Sequence, residues 1–236
     1  LKLFFKIEWD IDGLDNLSKN ETYLVVCNHL SLLDIPIAQG IFFNQIPFLR
    51  FFIKQELVWV PFLGQALWAL EYPIMKRYSK EKLKKHPEFR GKDLETTMRS
   101  CKKLLDKPVS ILNYPEGTRF TKNKHNRNKS IYENLLHPRA GGIHTVLKSL
   151  GSQLNALLDV TIVYPGHSYP GLSDFLLGRV KKIVVRIKTF ELGCDGAPSV
   201  EIINNKNGSL AVRSFLNELW REKDVFISKI HNLYHK

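Results

Sequence analysis

Residues Tyr23–Phe43 read YLVVCNHLSLLDIPIAQGIFF. The first five, Tyr23-Leu-Val-Val-Cys27, form an unbroken apolar run, the pattern of a short strand buried on both faces. Asn28-His29 ends that run, and Ser31 to Phe43 reads as a helix. A buried strand passing straight into a helix is the repeating pattern of an α/β fold.

The pattern recurs outward in both directions. Upstream, Leu3 to Ile11 alternates in part and reads as a strand ending at the Asp12-Gly13 turn. Downstream, Val109 to Tyr114 is a second buried strand, ended by Pro115. Gly141 to Leu150 reads as a helix closed by Gly151. Ala156 to Tyr164 is a strand stopped by Pro165-Gly166, and Val180 to Phe190 another. Strands interleaved with helices predict an α/β domain with a mixed or mostly parallel sheet flanked by helices. Glu191 to Gly208 holds Gly193, Gly196 and Pro198 and reads as a loop. Beyond it Phe215, Leu219, Phe226 and Ile230 recur at helical spacing, widened by Leu216, Ile227 and Leu233, so the chain should close with an amphipathic helix. The expected division is a domain over 1–205 and a C-terminal helix over 206–236, packed on it or on a membrane.

The 236 residues suffice for one sizeable domain or two small ones. With 44% hydrophobic and 25% charged residues, a disordered tail, a collagen-like fibre and a disulfide scaffold are excluded. Three scattered cysteines, Cys27, Cys101 and Cys194, point to a reducing compartment. The net charge of +12 points to a polyanionic partner: nucleic acid, an anionic membrane surface or a phosphorylated substrate. Nearly all of the excess lies between Lys76 and Arg139. Just before it come Phe48, Phe51, Phe52, Trp59, Phe62, Trp68 and Tyr72, flanked by Arg50, Lys54, Lys76 and Arg77. Aromatics beside cations suit a headgroup boundary, and equally a core helix with snorkelling lysines. No helix-turn-helix cue, RNP-type string or zinc spacing supports nucleic acid. The longest uncharged apolar stretch, Leu57 to Leu70, is 14 residues, too short to span a bilayer. A chain starting at Leu1 reads as a fragment or processed product, and any spanning helix would lie before it.

Two short motifs carry chemistry. In Asn28-His29-Leu30-Ser31-Leu32-Leu33-Asp34, His29 follows the buried strand and Asp34 comes five residues later. On an ideal helix that spacing leaves the side chains about 140° apart, so a His–Asp contact needs an intervening turn. Given one, an imidazole can take a proton from a hydroxyl while the carboxylate fixes its tautomer, the base half of a triad without a protein nucleophile. The competing reading is helix capping, with Ser31 as N-cap and Asp34 three residues on. Cys27, spaced i, i+2 from His29, is a minor candidate thiol nucleophile beside the commoner role of a buried strand-end cysteine. In Tyr114-Pro115-Glu116-Gly117-Thr118-Arg119, a second buried strand ends in a tight turn. Gly117 permits close backbone approach. Arg119 suits bidentate phosphate contact, and Glu116 can hold Arg119 or a ligand hydroxyl. Here the competing reading is an ordinary turn with a surface ion pair. The remaining histidines show no metal-ligand spacing, and no glycine-rich nucleotide loop is present.

His29-x4-Asp34 followed some eighty residues later by Glu116-Gly117-Thr118-Arg119 resembles the PlsC-type glycerolipid acyltransferases, which include the lysophosphatidic acid acyltransferases. Lys54–Leu57, Val60–Gly64, Pro73–Arg77 and Arg90–Thr97 look like a bacterial YihG-like subgroup, and the resemblance spans roughly residues 5 to 190. It implies a glycerol-3-phosphate acyltransferase-like α/β fold and membrane-bound phospholipid biosynthesis at the cytoplasmic face of a bacterial inner membrane. It implies transfer of a fatty acyl group from acyl-CoA or acyl carrier protein to the free hydroxyl of 1-acylglycerol-3-phosphate, giving phosphatidic acid, with no resident cofactor or metal. Another lysophospholipid acceptor such as lysophosphatidylglycerol is the near alternative, and a non-enzymatic basic membrane-binding protein the distant one. By the same resemblance His29 is the base, Asp34 its partner, and Glu116, Gly117, Thr118 and Arg119 bind the acceptor. Arg77 helps hold the acceptor's phosphate. Val160–Pro165 falls where the family has a further apolar block, but Pro165 ends it here, so no individual roles carry over.

Overall fold

The computed structural model describes residues 7–54, 58–70, 72–75, 99 and 106–234. Its main sheet is built from β1 (Glu8–Asp12), β2 (Tyr23–Cys27), β3 (Leu49–Phe51), β6 (Ser110–Asn113), β7 (Ala156–Val163) and β8 (Lys182–Phe190). The strands lie in the order β1-β8-β7-β2-β6-β3. The run β7-β2-β6-β3 is parallel, β8 is antiparallel to β7, and β1 is parallel to β8, so the sheet is mixed as expected. A small second sheet pairs β4 (Ile53–Lys54) with β5 (Ile74–Met75).

Helices cover both faces, which is why the central strands β2, β6 and β7 are buried along nearly their whole length and mostly apolar. Side chains alternate along each strand. Leu24 and Val26 of β2, Ile111 of β6 and Leu157 of β7 face one core, shared with α4 (Ala140–Leu150), α6 (Val200–Asn204) and the 27-residue α7 (Gly208–Tyr234). Tyr23, Val25 and Cys27, Leu112, and Leu158, Val160 and Ile162 face the other, closed by α1 (Asp34–Ile41) and α5 (Leu172–Leu176). Two further short helices are α2 (Leu63–Ala69) and α3 (Lys122–Asn128).

The long helix α7 is clamped to the sheet by more than its apolar stripe of Val212, Phe215, Leu216, Leu219 and Ile227. Lys223 is buried and places Nζ 2.8 Å from Asp159 Oδ1, 2.6 Å from the Val160 carbonyl and 3.1 Å from Thr161 Oγ1. Removing one partner of such a buried pair leaves the other charge uncompensated.

Several expectations need correction. Helix α1 starts at Asp34, not Ser31. Proline has no N–H to give, so Pro36 fits a first turn, where that N–H has no partner, and would break a helix begun earlier. Glu191 to Gly208 is not all loop. Ser199 Oγ accepts the Ile202 N–H and starts α6 inside it. On α7, Leu233 is exposed and Phe226 only partly buried, while Val212, Trp220 and Ile227 carry the packing. The strand expected from Leu3 is described only from Glu8. Most of the basic stretch Lys76–Lys107 lies outside the described residues.

Candidate active site

Strands β7, β2 and β6 are adjacent and parallel, so their carboxyl ends open on one edge. That edge is where open α/β sheets place their ligands. Here β2 delivers Asn28 and His29, β6 delivers Tyr114 and Glu116, and β7 delivers Tyr164. Residues more than eighty positions apart thereby become neighbours.

The turn between β2 and α1 is organised by one buried carboxylate. Asp34 Oδ2 lies 2.8 Å from His29 Nδ1 and accepts the N–H groups of Leu30 (2.7 Å) and Ser31 (2.8 Å). Its other oxygen, Oδ1, accepts the Tyr164 hydroxyl at 2.5 Å. The His–Asp reading of Asp34 is realised; the capping reading is not, because α1 begins at Asp34 with Leu33 as its N-cap and no side-chain cap bond, and Asp34 closes the preceding turn by accepting the Ser31 N–H. A carboxylate only accepts, so in the neutral imidazole Nδ1 carries the hydrogen and Nε2 the lone pair. The His29 side chain retains 13% exposure, whereas Asp34 has none. Among the described residues nothing bonds to Nε2. The ring is fixed on its face by Tyr114, stacked at 4.1 Å between centroids and 21° between planes. Asn28 holds the turn to the sheet, giving its amide to the Ile162 carbonyl and accepting the Ile162 N–H, both at 2.9 Å.

Glu116 is placed differently from the acceptor-binding role expected of it. It is only 1% exposed, and its two oxygens accept the N–H groups of His29 and Leu136, each at 3.1 Å. It is a brace between the β2 turn and the chain leading into α4. Burial pushes its carboxyl up to about 8, against the pull of the two N–H donors. Gly117 has φ +70, the left-handed region that glycine occupies without strain, and its N–H closes the turn on the Tyr114 carbonyl. Thr118 Oγ1 accepts from Lys124 Nζ at 2.6 Å, and the same ammonium reaches the Arg119 carbonyl at 3.0 Å. Arg119 is exposed, and among the described residues its guanidinium has no partner. Arg139 joins it: its N–H binds the Pro115 carbonyl at 2.9 Å, and its guanidinium passes beside Gly117. The rim next to His29 is therefore cationic, through Arg119, Lys124 and Arg139.

Of the expected site residues, the fold brings together His29, Asp34, Glu116, Gly117, Thr118 and Arg119. Arg77 lies outside the described residues. Cys27 is wholly buried in the α1-side core, where burial pushes its thiol well up, the opposite of what an attacking thiolate needs. Sequence reading missed Tyr114, Tyr164, Lys124 and Arg139. Tyr164 closes an apolar strand, and nothing in the pattern tells its hydroxyl from any strand-end tyrosine. Arg139 and Lys124 stood only within a basic run.

A family model described as Acyltransferase matches residues 8–165. Human 1-acyl-sn-glycerol-3-phosphate acyltransferase gamma is 28% identical over 189 residues, covering 76% of this chain and 44% of that protein. Zebrafish (Danio rerio) lysocardiolipin acyltransferase 1 is 24% identical over 250 residues, covering 98% of this chain and 58% of that protein. The chain thus spans about half the length of these curated relatives. The crystal structure of the 1-acyl-sn-glycerophosphate acyltransferase PlsC from Thermotoga maritima superposes with a TM-score of 0.54 at 18% identity, covering 93% of this chain and 72% of that one. At that identity the likeness speaks for the fold alone.

Proposed function

Because the chain belongs to the acyltransferase family, we propose that it transfers a fatty acyl group from acyl-CoA or acyl carrier protein to the free hydroxyl of 1-acylglycerol-3-phosphate. The observation that carries this reading is the imidazole of His29, oriented through Nδ1 by a buried carboxylate and open at Nε2, beside a cationic rim. As the acceptor hydroxyl attacks the thioester carbonyl, its proton passes to His29 Nε2, and Asp34 offsets the charge that forms. Collapse of the tetrahedral adduct expels the donor thiolate, which takes the proton back from His29. The acyl group moves directly from sulfur to oxygen with no acyl-enzyme. Arg119, with Lys124 and Arg139, suits the acceptor's phosphate. An anionic membrane surface at the cytoplasmic, reducing side would present that acceptor. Among the described residues no helix is long and apolar enough to cross a membrane.

A second acceptor is favoured by one observation: a relative whose name specifies lysocardiolipin aligns over nearly the whole chain. Competition between lysophosphatidic acid and lysophospholipids with larger headgroups ranks the two. The test of the reaction itself is free-thiol release from palmitoyl- and oleoyl-CoA, with and without lysophosphatidic acid, for wild type and His29→Ala. Release should require the acceptor and fall about 10²- to 10⁴-fold in the variant. Equal release without acceptor makes the protein a hydrolase, and an unaffected variant removes His29 from the chemistry.

A further inference from the structure

The aromatic stretch between Phe48 and Tyr72 divides into two groups. Phe51 packs on Tyr72 with 4.6 Å between ring centroids, and Phe48 meets Tyr72 edge-on at 6.2 Å. Trp59, Phe62 and Trp68 instead stand in solvent, at 82%, 84% and 77% exposure, with Val60 and Leu70 exposed beside them. Large aromatics so fully exposed and so close in sequence are not the scattered apolar residues of an ordinary surface. Nor is their segment a slack loop. Phe62 holds φ +62, a left-handed conformation that is an outlier for a bulky residue. The Gly64 N–H binds the Val60 carbonyl at 2.8 Å, and a Cβ at Gly64 would stand 1.8 Å from the Val58 carbonyl oxygen. A tight turn admitting no side chain at position 64 therefore sets Trp59 and Phe62 outward, just ahead of the helix that carries Trp68.

We infer that Trp59, Phe62 and Trp68 form a docking surface for an anionic lipid bilayer, inserting at the headgroup boundary. Two indoles and a phenyl ring are the side chains that favour this boundary, having apolar bodies and, for tryptophan, a polar N–H to leave in the headgroups. The uncharged run that holds them, Leu57 to Leu70, has the length of an interfacial segment and not of a span. Glu56 and Glu71 bound it directly, but Lys54 before it and Lys76 and Arg77 after it outnumber them in the sequence, on a chain of net charge +12, which complements anionic headgroups. The surface deepens the proposed reading, which needs a lipid acceptor, but it is testable apart from catalysis.

The experiment is tryptophan fluorescence of the whole chain with phosphatidylglycerol/phosphatidylcholine vesicles, with and without dibrominated lipid. Trp220 is fully buried and Trp9 partly so, which leaves Trp59 and Trp68 as the reporters. Wild type should shift to the blue and be quenched by bromine. By vesicle co-sedimentation, which needs no tryptophan reporter, Trp59→Ala/Phe62→Ala/Trp68→Ala should bind about tenfold more weakly per aromatic removed. Its circular dichroism and its turnover of a water-soluble short-chain acceptor should match wild type. Unquenched wild-type emission, or vesicle binding undiminished in the triple variant, overturns the inference. So does a wild-type dimer, lost in the variant and formed without lipid binding, which would make a second copy the occupant. Vesicle binding by a protein that releases no thiol would sink the acyltransferase reading and leave this one standing.

Discussion

Glu116→Gln tests whether the brace beneath His29 works as its geometry says. In the wild type both carboxyl oxygens accept a backbone N–H at 3.1 Å in a site that is almost closed to water. Glutamine keeps one acceptor and turns an NH2 toward the other N–H, leaving a buried donor unmet, at a cost of about 1–3 kcal/mol. The pH dependence gives a second signature. The unfolded chain gives up this proton near the ordinary 4.5, and the folded chain only near about 8, because burial disfavours the charge. Between those values the folded state holds more protons, so this stabilisation is whole below 4.5 and lost as pH rises toward 8. At about 1.4 kcal/mol per unit its ceiling is about 5 kcal/mol. Thermal melts of both proteins from pH 5 to 8.5 separate the effects. At pH 5 the variant should melt about 2–12 °C below wild type, from about 2–4 °C per kcal/mol in a chain of this size. The gap should close and then reverse as pH rises, since only the wild type loses stability through Glu116 and its ceiling exceeds the starting gap. A constant offset across the range would refute the buried carboxyl's titration, and coincident melts would refute the brace.

Tyr164→Phe removes the one donor to Asp34 Oδ1 among the described residues, so calorimetry should show a loss of about 1.5–3 kcal/mol with acceptor KM unchanged and kcat reduced. An unmoved melting point would mean that this hydrogen bond does not hold the carboxylate. Arg119→Ala should raise the acceptor KM, and Arg119→Lys should restore only part, because an ammonium lacks the planar fork. A change confined to the donor KM would move Arg119 to the other substrate. Lys223→Met strands Asp159 in the core and should cost about 3–5 kcal/mol by denaturant melts. Adding Asp159→Asn should recover part of that loss, and a second change that is merely additive would deny the pairing.

The central strands were legible because each is buried on both faces. Tyr23–Cys27 is apolar without interruption, and Ala156–Val163 is apolar but for Asp159 and Thr161, the two side chains that meet Lys223. The start of α1 was misread because the apolar pattern continues through Ser31, whereas the backbone answers to Pro36. The stripe on α7 was found with the wrong edge. Helical spacing admits Leu233, but Leu233 stands in water while Ile230 and His231 just before it are buried. Within the site, His29 and Asp34 were legible because five residues and one turn decide their contact. Glu116 was legible as a residue and not as a role, since an acid beside an arginine looks solvent-facing until the chain around it closes.

What the sequence determined by itself is local: strand and helix content, the strand-to-turn position of His29, the freedom that Gly117 allows, and the cationic character of the middle third. Each depends on a few consecutive residues and on backbone rules that hold in any fold. The tertiary structure decided the rest. Only the order β7-β2-β6 brings Tyr164 to Asp34, 130 residues away, and Glu116 under the His29 N–H, 87 residues away. Only packing separates the half-buried Phe51–Tyr72 pair from the exposed Trp59, Phe62 and Trp68 of one aromatic run. Strand order and burial are set by the summed contacts of two cores, and no short window of the chain contains that sum.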